Sequence, residues 1–89
     1  MAETDEARRK RLYMRSIRRG IKEMDIILGN FARDHLTDMS DADLETYDRM
    51  LSENDHDLYA WVCGNADALP EFAAMIAVIQ SNLTDLRGS

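Results

Sequence analysis

Chemistry concentrates in one stretch of this chain, Arg18-Arg19-Gly20-Ile21-Lys22-Glu23-Met24-Asp25, where two guanidiniums, a glycine and two carboxylates fall close together. A guanidinium offers a rigid fork of donors that matches a carboxylate or a row of carbonyls, and an ionised carboxylate only accepts. Glycine lets a second backbone come closer than any Cβ would permit, although a simple bend between two helices would also call for it. If helix ran through Gly20, Arg19 and Glu23 would sit one turn apart. An exposed pair of that kind contributes only about 0.3–0.5 kcal/mol, so stability is a weak reason for it. The residues alone leave two readings open, a bend between helices and a close approach by another polypeptide, with the bend the simpler.

Elsewhere the apparatus of catalysis is missing. There is no glycine-rich phosphate loop, no Gly-x-Ser-x-Gly and no His-Glu-x-x-His. The single Cys63 closes no intramolecular disulfide, and with only His35 and His56 it makes no zinc set. Cys63, one residue before an expected helix stop, reads as a small apolar filler, and the two histidines read as helix-end residues. No catalytic residue, metal site or cofactor-binding residue is assigned, and the chain is not expected to be an enzyme.

The elements that must position the Arg18–Asp25 stretch are helices. With 45% hydrophobic and 31% charged residues, one proline and four glycines, the 89-residue chain has the composition of a folded domain with few breakers. A chain this short supports one core, and residues 1–89 are expected to form a single domain with its body at about 8–84. A first helix is expected over about Asp5 to Arg18, with Leu12 and Ile17 apolar among arginines. A second, about Ile21 to Asp34, sets Ile21, Met24, Ile27, Leu28 and Phe31 at three- and four-residue spacings, a stripe down one side. Ser40, placed to accept from the Asp43 amide, starts a third that carries Leu44, Tyr47, Met50 and Leu51 and stops near Glu53-Asn54. Asp55 is expected to cap a fourth with Leu58, Trp61 and Val62, ended by Gly64 in the left-handed conformation. A fifth begins with Pro70 in its first turn and repeats Phe72, Met75, Ile76, Ile79 and Leu83. Since no run alternates in the manner of a strand, the fold class is all-α, a small five-helix bundle.

Charge is unevenly spread. Residues 1–23 carry eight Lys/Arg against four acids, and residues 24–89 carry three against thirteen, for a total of −6. Arg8, Arg9, Lys10, Arg11, Arg15, Arg18, Arg19 and Lys22 could suggest nucleic acid, but the acidity of the whole would repel phosphate. A solvated helix face or a protein-docking face is the better reading.

The same residues resemble a known family. Arg19-Gly20-Ile21-Lys22-Glu23 is similar to the RGxxE signature of the SdhE family, called YgfY in bacteria and succinate dehydrogenase assembly factor 2 in mitochondria. Arg18 precedes it, and Met24-Asp25-Ile26 follows as the family's E-hydrophobic-D does. Leu36-Thr37 to Asp43 resembles its Leu-Ser-Asp helix start, and Arg49-Met50-Leu51 through Asp57-Leu58-Tyr59-Ala60-Trp61 its Asp-Leu-Phe-x-Trp helix. Met75 to Gln80 resembles its closing hydrophobic-Ile-Gln, so the likeness runs from about Arg8 to Gln80. His56 stands where many members have proline, a loss that touches only the start of the fourth helix.

This resemblance implies a helical bundle that binds the flavoprotein subunit of succinate dehydrogenase, and in some bacteria that of fumarate reductase. It implies promotion of covalent FAD attachment to a histidine of that subunit, with no FAD held stably by the chain itself. The partner-binding residues it implies are Arg19, Gly20 and Glu23, with Asp25 accessory and Arg18 beside them. Two rival readings are a flavinyltransferase that binds FAD and uses Glu23 as a base, and an antitoxin-like or nucleic-acid-binding module using the first helix. No nucleic acid and no membrane insertion are expected, and a monomer is favoured. The acids of Met1-Ala2-Glu3-Thr4-Asp5-Glu6 speak against a mitochondrial transit peptide, and a bacterial cytoplasm is the expected location.

Overall fold

The bends and capping residues of the sequence translate into five helices. The computed structural model describes residues 3–88, with side-chain surroundings as far as residue 83. In chain order the helices are α1 (Asp5–Ser16), α2 (Lys22–His35), α3 (Asp41–Met50), α4 (Asp55–Cys63) and α5 (Ala73–Gly88), with a 3-10 turn at Leu36–Asp38 after α2. Among the described residues there is no strand. The Cα radius of gyration is 12.4 Å, about what a compact chain of this length should have.

Local chemistry accounts for most boundaries. The Thr4 hydroxyl accepts from the Ala7 amide at 3.1 Å and starts α1, and Ser40 does the same for Asp43 at 3.1 Å to start α3. Gly64 ends α4 at φ 79°, a conformation that costs a side chain but not glycine.

Four boundaries depart from expectation. α1 ends at Ser16 rather than Arg18, which frees residues 17–21 to turn the chain. α3 ends at Met50, and its exit tightens through i to i+3 bonds, Ser52 to Arg49 at 3.1 Å and Glu53 to Met50 at 2.9 Å. α4 is capped by Asn54, whose Oδ1 accepts from the His56 amide at 2.8 Å, so Asp55 is released from that duty. Pro70 lies in a tight turn ahead of α5, where Phe72 donates to the Leu69 carbonyl at 2.9 Å.

α2 is the central helix and packs against α1, α4 and α5. Its stripe of Met24, Ile27, Leu28 and Phe31 is buried, while Ile21, at the N-cap, is only partly covered. Leu44, Tyr47 and Met50 of α3, Leu58, Trp61 and Val62 of α4, and Ile76 and Ile79 of α5 complete one continuous core. Phe31 anchors it, with its ring centroid 5.5 Å from Tyr47 and 4.9 Å from His35. Fully burying side chains of this size contributes about 1.5–3 kcal/mol each, which is why residue type along the stripe decides the arrangement of helices.

Candidate functional site

The segment between α1 and α2 is held by side chains from elsewhere rather than by its own backbone. The Arg19 amide donates to Oδ1 of Asp25, in the first turn of α2. The next amide, of Gly20, donates at 2.6 Å to Oδ2 of Asp55, the first residue of α4. The other oxygen of Asp55 receives the Arg19 side chain: Nε donates to Oδ1 at 2.7 Å, and Nη2 lies 2.7 Å from the same atom. Longer bonds of 3.4 Å run from Arg19 to the carbonyls of Arg15 and Glu53. With side chains only 9% and 18% exposed, Arg19 and Asp55 form the most enclosed ion pair among the described residues.

The expected site residues therefore divide. Arg19, read from sequence as a fork for a partner's carboxylate, closes onto this chain's own Asp55, and Asp25 ties down the turn. Among the described residues no hydrogen bond or ion pair joins Arg19 to Glu23, because the helix that would have placed them one turn apart is broken at residues 17–21. Arg18, Gly20 and Glu23 face outward, and the Arg18 and Glu23 side chains have no hydrogen-bonded or ionic partner among the described residues. Glu23 borders a shallow groove of about 190 Å³ with Ile26, Ile27, Tyr59, Cys63 and Leu83. Ile26 is 55% exposed there, the largest such figure for a big apolar side chain among the described residues. Cys63 is exposed at this groove instead of filling the core, because α4 turns its last residue outward before Gly64.

The arginine face of α1 is not a free cationic surface. Arg8 meets Asp41 at 2.6 Å, and Arg9 donates to the carbonyls of Leu36 at 2.8 Å and Met39 at 3.0 Å. Arg11 donates to Glu3 at 2.9 Å and to Asp48 at 3.0 Å. Arg15 also pairs with Asp48 and reaches the Ser52 hydroxyl at 3.1 Å. The hydrogen bond from Arg11, helped by the positive charge of Arg15, holds the Asp48 carboxyl below its ordinary pKa; Arg11 does the same for Glu3. Under this lattice the Ser16 hydroxyl and Tyr47 hydroxyl lie 2.6 Å apart in full burial. Burial pushes the Tyr47 phenol up to about 12, against the opposing pull of Ser16 and the charges of Arg19 and Arg15. A hollow of about 310 Å³ lined by Arg11, Met14, Arg15, Arg18 and Arg19 lies beside the turn, with three of its four guanidiniums already matched to carboxylates.

Residues 10–83 match the family described as flavinator of succinate dehydrogenase. The chain belongs to that family. Its likeness extends to curated relatives named succinate dehydrogenase assembly factor 2, mitochondrial. That of Meyerozyma guilliermondii is 44% identical over 68 residues, which is 76% of this chain and 50% of the relative. That of Scheffersomyces stipitis is also 44% identical over 68 residues, 76% of this chain and 46% of the relative. This flavinator-family chain thus spans about half the length of the curated relatives it matches. The relatives are named as factors, and the family description is that of a flavinator.

One expectation is corrected by these relatives. Placement in a bacterial cytoplasm fails, because the proteins this chain matches are mitochondrial. The acids of residues 3–6 are no mark of compartment: Thr4 caps α1, and Asp5 and Glu6 lie in its first turn, where they suit a helix end. Among the described residues no three His, Cys, Asp or Glu groups gather as a metal ion would need, and no helix is long and apolar enough to cross a membrane.

Sequence reasoning did not assign Asp55 to the site. Its distance of 35 residues from Gly20 hides it, and Asn54 and Asp55 are equally suited to cap α4.

Proposed function

We propose that this chain is an assembly factor that docks on the flavoprotein subunit of succinate dehydrogenase and promotes covalent attachment of FAD within that subunit. Membership of the flavinator family supports the general task. The observation that carries the docking mode is the unpartnered, exposed carboxylate of Glu23 at the rim of an apolar groove. Free charge beside exposed aliphatic surface is the composition of a recognition face, where an apolar anchor excludes water and a polar contact fixes register. Glu23 and Arg18 contact the partner, the bare backbone at Gly20 allows close approach, and Arg19 with Asp25 keeps the turn in shape. The bond to FAD forms in the partner: the chain holds one conformation of the flavoprotein in which the flavin lies beside its acceptor histidine, and so shifts a population.

The lattice on α1 weighs against a nucleic-acid reading, since Arg8, Arg9, Arg11 and Arg15 are already paired within the chain. It weighs equally against binding of the FAD pyrophosphate in the arginine hollow, where Arg18 is the one guanidinium without a carboxylate.

The test is Glu23→Ala in cells lacking the native copy. The variant should fold as the parent does, and in-gel fluorescence of the covalent flavin in the dehydrogenase subunit should fall severalfold. Undiminished fluorescence would remove the docking mode. Fumarate reductase is a second client on this reading, assayed in the same way on its own flavoprotein subunit.

A further inference from the structure

The turn that carries Gly20 is oriented by a residue of a distant helix. Residues 17–21 lie outside both α1 and α2, and the amides of Arg19 and Gly20 find side-chain carboxylates as their acceptors. Asp25 belongs to the helix that follows the turn, so it fixes only local shape. Asp55 belongs to α4, 35 residues away, and its short bonds are the strongest polar tie between the turn and the bundle, with a longer bond from Arg19 to the Glu53 carbonyl beside them.

Three observations show that this carboxylate is committed. Both of its oxygens are used, Oδ1 by the Arg19 guanidinium at 2.7 Å and Oδ2 by the Gly20 amide at 2.6 Å. These are charge-assisted bonds, the strong and directional class. Asn54 caps α4 in its place, so the Asp55 side chain has no competing backbone partner in its own helix. Finally, a Cβ built on Gly20 would stand 3.1 Å from Asp55 Oδ2, a contact tight enough that the carboxylate would have to give way. A side chain at position 20 would thus crowd this clamp.

We propose that Asp55 is the positioning residue of the docking face: one carboxylate fixes the Arg19 guanidinium and the Gly20 amide, and so sets the pose in which the Gly20 backbone and Glu23 meet the flavoprotein subunit. The inference rests on the docking reading above. It assigns Arg19 an internal role, as the counter-charge that holds Asp55 in place, and leaves direct contact to Arg18, Gly20 and Glu23. Asp55 touches neither substrate nor flavin and acts through the turn alone.

The experiment compares the parent chain with Asp55→Asn, Asp55→Glu, Glu23→Ala and a remote core variant, Ile79→Val. Binding to the purified apo flavoprotein subunit, thermal stability and the amide resonance of Gly20 are measured for each. Asp55→Asn removes the charge, and Asp55→Glu keeps the charge but adds a methylene that moves the acceptor off the Gly20 amide. In both, the Gly20 resonance should shift and its hydrogen exchange accelerate about tenfold or more, and affinity for the subunit should drop about tenfold or more. Ile79→Val should lower stability and leave affinity and the Gly20 amide unchanged. Parental affinity in both Asp55 variants despite a displaced Gly20 amide overturns the proposal. So does an unmoved Gly20 amide in either, or a loss of affinity that tracks stability alike in all variants. Glu23→Ala separates the two levels: parental binding by that variant removes the docking reading itself. Lost binding there with parental binding by both Asp55 variants removes only the positioning role.

Discussion

Replacing Ser16 by Ala should destabilise this protein more than replacing Tyr47 by Phe, and the double replacement should be milder than Ser16→Ala alone. The Ser16 hydroxyl has one proton and gives it to the Leu12 carbonyl at 2.7 Å. At the 2.6 Å contact with Tyr47 it must therefore accept, and the phenol must donate. Both residues are 0% exposed, so water cannot replace a lost partner. Tyr47→Phe removes one hydrogen bond and leaves Ser16 still donating, at a cost of about 0.5–1.5 kcal/mol. Ser16→Ala strands the phenol proton in the core, which costs about 1–3 kcal/mol. The few tenths of a kcal/mol that alanine gains as a helix former do not reverse that order. In the double variant nothing is stranded, and the cost returns to roughly that of Tyr47→Phe. Urea unfolding followed by Trp61 fluorescence resolves such differences, and in a domain of this size each kcal/mol moves the melting temperature by about 4–8 °C. A Tyr47→Phe variant weaker than Ser16→Ala, or a double variant weaker than both, would refute the donor assignment. The same phenol gives an alkaline signature. Its pKa of about 12 in the fold exceeds its ordinary 10.0, so the contribution of this group to stability is constant below pH 10. It falls between pH 10 and 12 as the unfolded chain sheds the proton first. The loss amounts to about 2–3 kcal/mol and should be absent in Tyr47→Phe.

Three further outcomes are expected. Asp48, held below its ordinary pKa by Arg11 and Arg15, contributes stability that is present above the usual carboxylate range and fades as pH falls through its lowered value. Asp48→Asn should be weaker at pH 7 and lose less between pH 7 and pH 3, read from urea midpoints. Gly64→Ala meets no atom within 4 Å, so its cost is backbone strain at φ +79° alone, about 1–2 kcal/mol, and Gly64→Asn should cost less in the same melts. Phe31→Ala empties the place between His35 and Tyr47 and should cost about 3–5 kcal/mol, a large share of the total stability of so small a domain, visible as an early far-UV melt.

Period and capping made the fold legible from sequence, because both are local. The α2 stripe, the Ser40 cap and the Gly64 stop each express interactions within a few residues, and each stands where periodicity and capping chemistry put it. The site was legible only as a composition. Arg18 through Asp25 stood out as a cluster, yet nothing local says that Arg19 turns inward while Arg18 and Glu23 turn out. That division is made by Asp55, and Asp and Asn cap helices about equally well, so sequence could not tell which of residues 54 and 55 was spare. The arginines of α1 misled for a similar reason. Their partners Asp41 and Asp48 lie 33 and 37 residues along the chain, and a stripe that looks solvated in one helix is a seam in the assembled bundle.

That seam makes α1 unlike the other helices. Only Leu12 and Ser16 of α1 are fully buried, and much of its remaining grip on the bundle comes through its arginines. Added sulfate screens such pairs while strengthening the apolar core beneath, so one salt acts in opposite senses on two parts of a small molecule. The first event under ionic stress is then a sub-global opening, with α1 peeling from its N-terminal turn toward Arg19 and halting where Asp55 secures the chain. Amides near Thr4 should lose protection well before those of α2, and the docking turn would outlast the helix that leads into it.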